Sequence, residues 1–323
     1  MPIELARAQA LPKPWGIIDL RPWSSAANSD SRLIGEIWYE RPGNAASDPS
    51  LLLKLLFTSQ PLSIQVHPDD AYAQSMGLAC GKTEAWYILS AAPGAKIALG
   101  LKKRLASRQL REAVDDGSIV GLVAWQTVLP GDVVFVPAGM IHAIGAGLVI
   151  AEIQQRSDAT FRMFDFGRKR DLHVASAIAV ADAGPAIVGL KPKRLTDERT
   201  LLVSNTHFAF ERVELVPGSV FRLEAERETW LLVVRGSARA GKLGIAMGEA
   251  VFAQSDRVDI QAGPDGMVCL VAYTGAGGPV PHLLQRPAGP NTTDTAAAWK
   301  MQGPTTLTPT ETPPTDGHVG ARL

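Results

Sequence analysis

Residues 131 to 142 read Gly-Asp-Val-Val-Phe-Val-Pro-Ala-Gly-Met-Ile-His, and no other stretch limits the fold as tightly. Gly131-Asp132 marks a turn, and Val133 to Val136 are β-branched or aromatic and suit a short strand. Pro137-Ala138-Gly139 marks a second turn, and His142 stands at the far end. A strand bracketed in this way delivers an imidazole into the mouth of a β-barrel. An imidazole placed there commonly serves a metal.

The rest of the chain has the same texture. Short β-rich runs punctuated by Gly and Pro recur: Leu51 to Phe57, Ala85 to Leu89, Leu148 to Ile153, Phe208 to Leu215, Trp230 to Val234 and Val268 to Tyr273. Such spacing predicts barrels or sandwiches. Ser107 to Asp116 interrupts them with Leu110, Ala113 and Val114 at helical spacing, and Pro68-Asp69-Asp70 predicts a second helix start with acids in its first turn.

An internal repeat is visible. Thr83-Glu84-Ala85-Trp86-Tyr87-Ile88-Leu89 is similar to Arg227-Glu228-Thr229-Trp230-Leu231-Leu232-Val233, and Gly131 to Phe135 is similar to Gly248 to Phe252. The Trp-to-Gly distances are 45 and 18 residues, so the first copy carries an insertion of 27 that holds the helix. Two barrels of one type explain this, a first at 1–185 with a helical insertion at about 102–122 and a second at 186–285. The second has decayed as a site: by spacing, Asp259 stands where His142 stands, and Gln254 replaces Pro137. From about 286 to 323 the chain is rich in Pro, Thr, Gly and Ala and is expected to be flexible.

Composition narrows the function classes. Lys plus Arg and Asp plus Glu number 32 each, so no basic surplus points to nucleic acid or a membrane surface. No apolar run approaches the roughly 18 residues of a membrane span. The N-terminus shows no signal-peptide pattern, and the two cysteines, Cys80 and Cys269, form no CxxC motif or disulfide framework. The expectation is a soluble cytoplasmic protein with reduced thiols.

Four segments carry chemistry. In Ser63-Ile64-Gln65-Val66-His67, Gln65 and His67 share one strand face while Ile64 and Val66 take the other. A buried polar pair needs a partner, since leaving each group unpaired costs about 1–3 kcal/mol. A metal is one such partner and a structural Gln–His hydrogen bond is another. Lys82 and Glu84 also share a face: a carboxylate can ligate zinc and a lysine beside it suits an anionic substrate, although a plain ion pair has the same spacing. His142 ends the third segment. The fourth runs from Glu152 to Arg168, too polar for a core strand and too aromatic for a linker. There Arg162 suits an anion and Asp158 a proton or a hydroxyl, or the stretch is a solvated charged loop.

The Gly-x5-Pro-x-Gly-x2-His spacing matches the second sequence motif of the cupin barrels, whereas the usual first motif, two histidines and a closely following glutamate, is absent. Together LSIQVHPDDAYA, GKTEAWYIL, PGDVVFVPAGMIHAIGAG and EIQQRSDATFRMFDFGR resemble one cupin family, the type I mannose-6-phosphate isomerases in their short bacterial form. Trp15-Gly16 and Ile34-Gly35-Glu36-Ile37-Trp38 fit the family's N-terminal pattern. The resemblance is strong from about 14 to 180 and general beyond. It implies a mostly β chain of two jelly-roll barrels and a Zn2+ site made of Gln65, His67, Glu84 and His142. It also implies that Lys82, Arg162 and Asp158 act in catalysis and that Ser63, Lys82 and Arg162 bind the substrate. The reaction implied is interconversion of mannose 6-phosphate and fructose 6-phosphate through a cis-enediol, in a monomer or homodimer. Arg156 departs from the family, standing where a small residue is common. A non-catalytic sugar-phosphate-binding cupin is the alternative. An iron oxygenase, which needs an open site of two histidines and a carboxylate, fits less well because of Gln65 and the flanking lysine.

Overall fold

Leu51–Thr58 is the strand around which the layers are built. Its sequence is almost continuously apolar, and every residue is buried, as befits a strand covered on both faces. Successive side chains point to opposite sides. Leu51, Leu53, Leu55 and Phe57 enter a core with Phe208, Phe210, Trp230 and Phe252 from the second half of the chain. Leu56 enters another core, with Leu62, Ile97 and Ile144. Lys54 lies two residues from Leu56 and so on this second side.

The computed structural model describes residues 3–24, 32–43, 48–186, 191–275 and 278–287, which form three sheets. The first has six strands in the order Arg7–Ile17, Ile34–Glu40, Leu51–Thr58, Leu148–Gln155, Glu84–Ala91, Val133–Val136. The second has five, in the order Phe161–Phe164, Ile64–Val66, His142–Ile144, Lys96–Leu101, Val123–Thr127. These two share the core containing Trp86, Ile88, Ile97 and Ile144. On its other face the five-stranded sheet is covered by Ser107–Asp115, Ile119–Leu122 and Val174–Val180, through Leu110, Val114, Ile119 and Ala177. The first two of these helices fall in the insertion expected at 102–122. They pack on the outside of the sheet.

The third sheet has ten strands and holds the second half together with Glu4–Leu5, which pairs with Ala250–Ala253. Asp256–Thr274 organises it, pairing with Val220–Ala225 along its first part and with Phe208–Leu215 along its last. Phe221, Leu231, Val251, Ile260 and Val271 form the core that these strands share. The described residues as far as Arg286 pack as one compact unit.

The architecture is mostly β, as the turn-rich pattern requires. Among the described residues no sheet closes on itself by hydrogen bonds. In place of the barrels expected from the sequence, two sheets of the first half face each other across a shared core without closing. The Pro/Thr-rich tail lies outside the described residues from 288 onward. No helix among them is long and apolar enough to cross a membrane.

Candidate metal centre and substrate cavity

The opening motif folds as its sequence dictates. Gly131 and Gly139 adopt φ of 95° and 84°, conformations open to glycine at little cost, and the turns they make bracket Val133–Val136. The chain then enters His142–Ile144, where His142 stands directly opposite Gln65. Gln65 and His67 come from neighbouring positions on Ile64–Val66 and just past it. Glu84 begins a strand of the facing sheet, paired with Val136. The five-stranded sheet thus brings Gln65, His67 and His142, and the six-stranded sheet Glu84, to the same end of their shared interior.

His67, Glu84 and His142 are 1%, 1% and 0% exposed, and one ligand atom from each lies within 4.8 Å of the others. His67 Nε2 is 3.3 Å from Glu84 Oε2, and His142 Nε2 is 3.5 Å from Glu84 Oε1. The remaining ring nitrogens are committed. Nδ1 of His67 meets the Ala159 carbonyl at 2.8 Å, and Nδ1 of His142 meets the Met140 carbonyl at 2.8 Å. A carbonyl only accepts, so each Nδ1 carries a proton. Burial, and then Lys82, lowers the pKa of His67. Burial, and then His67, lowers that of His142 to about 3. Both rings are therefore neutral and each Nε2 presents a lone pair. Two imidazole lone pairs thus face a carboxylate with no proton of their own between them, which is the donor set of a metal site.

The spacing fits one ion. Two atoms held at about 2.0–2.1 Å by a tetrahedral metal stand about 3.3–3.4 Å apart. The two His–Glu separations, each to a different oxygen of the carboxylate, lie close to that value, and Gln65 Nε2 lies 3.2 Å from His142 Nε2. Gln65 Oε1 accepts from the Ser63 hydroxyl at 2.8 Å. Half a turn of the amide puts its oxygen toward the cluster, and the Ser63 hydroxyl, able to donate or accept, can pair with either end. Trp86 Nε1 donates to Glu84 Oε1 at 3.2 Å. Lys82 Nζ donates to Glu84 Oε2 at 2.5 Å and lies 3.0 Å from His67 Nε2. Burial works against the charge on Lys82, but the carboxylates of Glu84 and Glu152 outweigh it and raise its pKa. Burial likewise opposes ionisation of Glu84, yet the Lys82 ammonium beside it holds its carboxyl well below the usual range.

A cavity of about 230 Å³ opens beside this group, lined among others by Ser63, Gln65, Lys82, Glu84, Asp158 and Arg162. Every site residue expected from the sequence thus lies in the cavity wall or, for His67 and His142, in the buried cluster behind it. Asp158 is exposed. Arg162 stands opposite Gln65 in the sheet, and its Nε is buried without a partner. Burial, and then Arg170, depresses the pKa of Arg162 against the opposing pull of Asp165 and Asp171.

The sequence reading missed part of the cavity lining. Lys13, Glu36, Trp38, Lys54, Glu152 and Arg170 also line the cavity. Lys54 Nζ donates to Gln154 Oε1 at 2.6 Å, lies 3.5 Å from Glu152 Oε1 and sits 4.7 Å from the centre of the Trp38 ring. Burial is the largest influence on both charged groups, lowering the pKa of Lys54 and, with Glu84, raising that of Glu152. One signal was available: Lys54 is the single charge in Leu-Leu-Leu-Lys-Leu-Leu-Phe.

No family model matches the chain. The mannose-6-phosphate isomerase of Streptococcus mutans is 35% identical over 229 residues, covering 67% of this chain and 70% of that protein. A probable mannose-6-phosphate isomerase of Bacillus subtilis is 39% identical over 137 residues, covering 40% of this chain and 43% of that one. The crystal structure of the Bacillus subtilis mannose 6-phosphate isomerase superposes with a TM-score of 0.72 at 24% identity, over 84% of this chain and 99% of that one. A mutant phosphomannose isomerase from Salmonella typhimurium does so at 0.68 and 15%, over 85% and 100%, a likeness of fold. With more than a third of the aligned residues shared across two thirds of both chains, and the same fold in solved relatives, the chain belongs to the mannose-6-phosphate isomerase family.

Proposed function

We propose that the protein is a zinc-dependent isomerase that interconverts mannose 6-phosphate and fructose 6-phosphate through a cis-enediol. One observation carries the reading: two neutral imidazoles and a carboxylate converge at the base of a cavity that also holds Arg162. Gln65, His67, Glu84 and His142 would hold the zinc, nitrogen and oxygen donors at separations suited to a small tetrahedral ion. When bound, zinc supplies a Lewis acid for the sugar oxygens.

The protein's own groups do the rest. Arg162 suits an anionic group of the substrate, and the Ser63 hydroxyl and Lys82 offer further donors along the same wall. Lys82, kept cationic by its carboxylate neighbours, is placed to stabilise charge that grows on O1 and O2 as the enediol forms. A base must carry one proton between C2 and C1. His67 is poorly suited, because one ring nitrogen is bonded to a carbonyl and the other faces Glu84. Asp158 stands exposed at the cavity. Lys54 and Glu152 are buried together, with the acid weakened and the ammonium made more acidic. A pair tuned in that way is suited to passing a proton, which makes it a second candidate for the shuttle beside Asp158. Two free cysteines and the absence of a spanning helix among the described residues suit a cytoplasmic enzyme.

A coupled isomerase assay with metal analysis on the same sample tests this reading. Chelation is expected to abolish turnover and added zinc to restore it. Undiminished activity in protein shown to be metal-free would overturn the metal's role, and absent turnover in zinc-loaded protein would favour a sugar-phosphate-binding protein.

A further inference from the structure

The strand that brings Lys54 to the cavity is anchored from the other half of the molecule. Leu51–Thr58 runs between two neighbours, but Ile34–Glu40 pairs with it only from Leu53 to Leu56. Ser50 and Leu51 therefore lack a strand neighbour on that side among the described residues. Glu228 takes its place. Its Oε2 accepts the Ser50 N–H at 2.6 Å and its Oε1 accepts the Leu51 N–H at 2.8 Å. Trp230 Nε1 donates to Oε1 at 3.1 Å, and Glu228 is 6% exposed. On the opposite side Arg156 N–H donates to the Ser50 carbonyl at 2.8 Å, and Leu51 pairs with Gln155. The start of the strand is thus clamped between one strand of its own sheet and one carboxylate of the second half.

Lys54 lies three residues beyond this clamp, opposite Glu152 in the register. Extended backbone is stiff over so short a distance, so a shift at Leu51 moves Lys54 relative to Glu152 and Gln154. We propose that Glu228 is a positioning residue for the isomerisation, holding Leu51–Thr58 so that Lys54 meets Glu152 and Gln154 in the cavity. The inference rests on the proposed function above. It assigns the second half a part in turnover, although among the described residues that half adds no side chain to the cavity wall.

Glu228→Gln keeps the shape but replaces one accepting oxygen with an amide that cannot accept, so one of the two backbone donors is released. Misplacement of a reacting group acts on the chemical step more than on binding. The expected result is a roughly tenfold fall in kcat, with KM for mannose 6-phosphate within about twofold of wild type and zinc content unchanged. Trp230→Phe removes the third donor and leaves both backbone clamps, so its kcat is expected at the wild-type level even where its melting temperature falls. If Glu228→Gln does not fold, Glu228→Asp, which keeps the charge and draws the carboxylate back, is read by the same split of kcat from KM. Wild-type kcat in a folded Glu228 variant, with only the melting temperature lowered, would reduce the residue to ordinary support and overturn the inference alone. An inactive zinc-loaded wild type would overturn the proposed function and this inference with it.

Discussion

Glu84 and Glu228 occupy the same step of two similar strands and do different work. Each accepts a hydrogen bond from the indole two residues on, Trp86 at 3.2 Å and Trp230 at 3.1 Å. Each is buried. The other lone pairs of Glu84 face two imidazoles and an ammonium, whereas those of Glu228 face two backbone N–H groups. Across the sheet, Gln65 opposes His142 in the first half, while the inward pair of the second is Phe221 opposite Ile260, both buried. The scaffold repeats, and the neighbours decide whether its carboxylate meets imidazoles and an ammonium or a backbone.

The largest effect that tests this contrast comes from exchanging the two inward positions for alanine. His142→Ala removes a lone pair from the cluster and is expected to lower both zinc content and isomerase turnover at least a hundredfold, roughly the upper end of what a lost metal partner costs. Ile260→Ala opens a cavity in the second core and is expected to cost about 2–5 kcal/mol of stability while turnover per folded molecule stays intact. Zinc analysis, the coupled assay and denaturant unfolding on both variants settle it. Metal loss in Ile260→Ala would break the division of labour.

A second large effect belongs to Lys54 in the cavity lining. Lys54→Met keeps the length and apolar stem of the side chain but removes the proton-carrying group. It is expected to lower kcat by about 10²–10⁴-fold, the range of general acid–base catalysis, with zinc retained. Full kcat in this variant would leave Asp158 as the stronger candidate for the base.

These two predictions show what sequence can and cannot reveal. That Gln65 shares a face with His67, and Lys82 with Glu84, was legible because each pair is two residues apart and a strand has a period of two, whereas their joint role as a site came only from the family resemblance. His142 was legible because turn chemistry fixes where its strand ends. The opposition of Lys54 to Glu152 depends on the register between strands 98 residues apart, which no local spacing encodes. Register also corrects the repeat. Trp86 pairs with Val134, three residues after Gly131, while Trp230 pairs with Phe252, four after Gly248. A slip of one residue exchanges the faces of a strand. Asp259, which spacing equates with His142, therefore points to solvent, and Ile260 points inward.

The contrast extends to acid sensitivity. His67 and His142 are buried, whereas in the second half His207 is half-buried and His282 exposed. Burial lowers the His142 pKa from 6.5 to about 3, so in chelated protein its stabilising contribution is complete above pH 6.5 and is lost as the pH falls from there toward 3. The melting temperature of chelator-treated protein is expected to drop across that window, and less steeply in His142→Asn. Equal slopes for the two proteins would show that some other group governs the acid limb.

The smallest effect is expected at Asp259. It pairs with Arg222 through two contacts of 2.7 and 3.2 Å, directly opposite it in the sheet. Arg222 first, through its hydrogen bond, holds the carboxyl below the usual range, but water screens a pair this exposed and such pairs add little to stability. Asp259→Ala is therefore expected to leave zinc content and turnover at wild-type levels and the melting temperature nearly so. The same substitution separates two accounts of the repeat. If spacing alone mapped the second half onto the first, Asp259 would sit where a ligand sits, and its loss would disturb the core or the cluster. If register decides, it is a surface residue whose inward place Ile260 has taken, and only Ile260→Ala should be felt. A metal-deficient or inactive Asp259→Ala protein would restore the mapping by spacing.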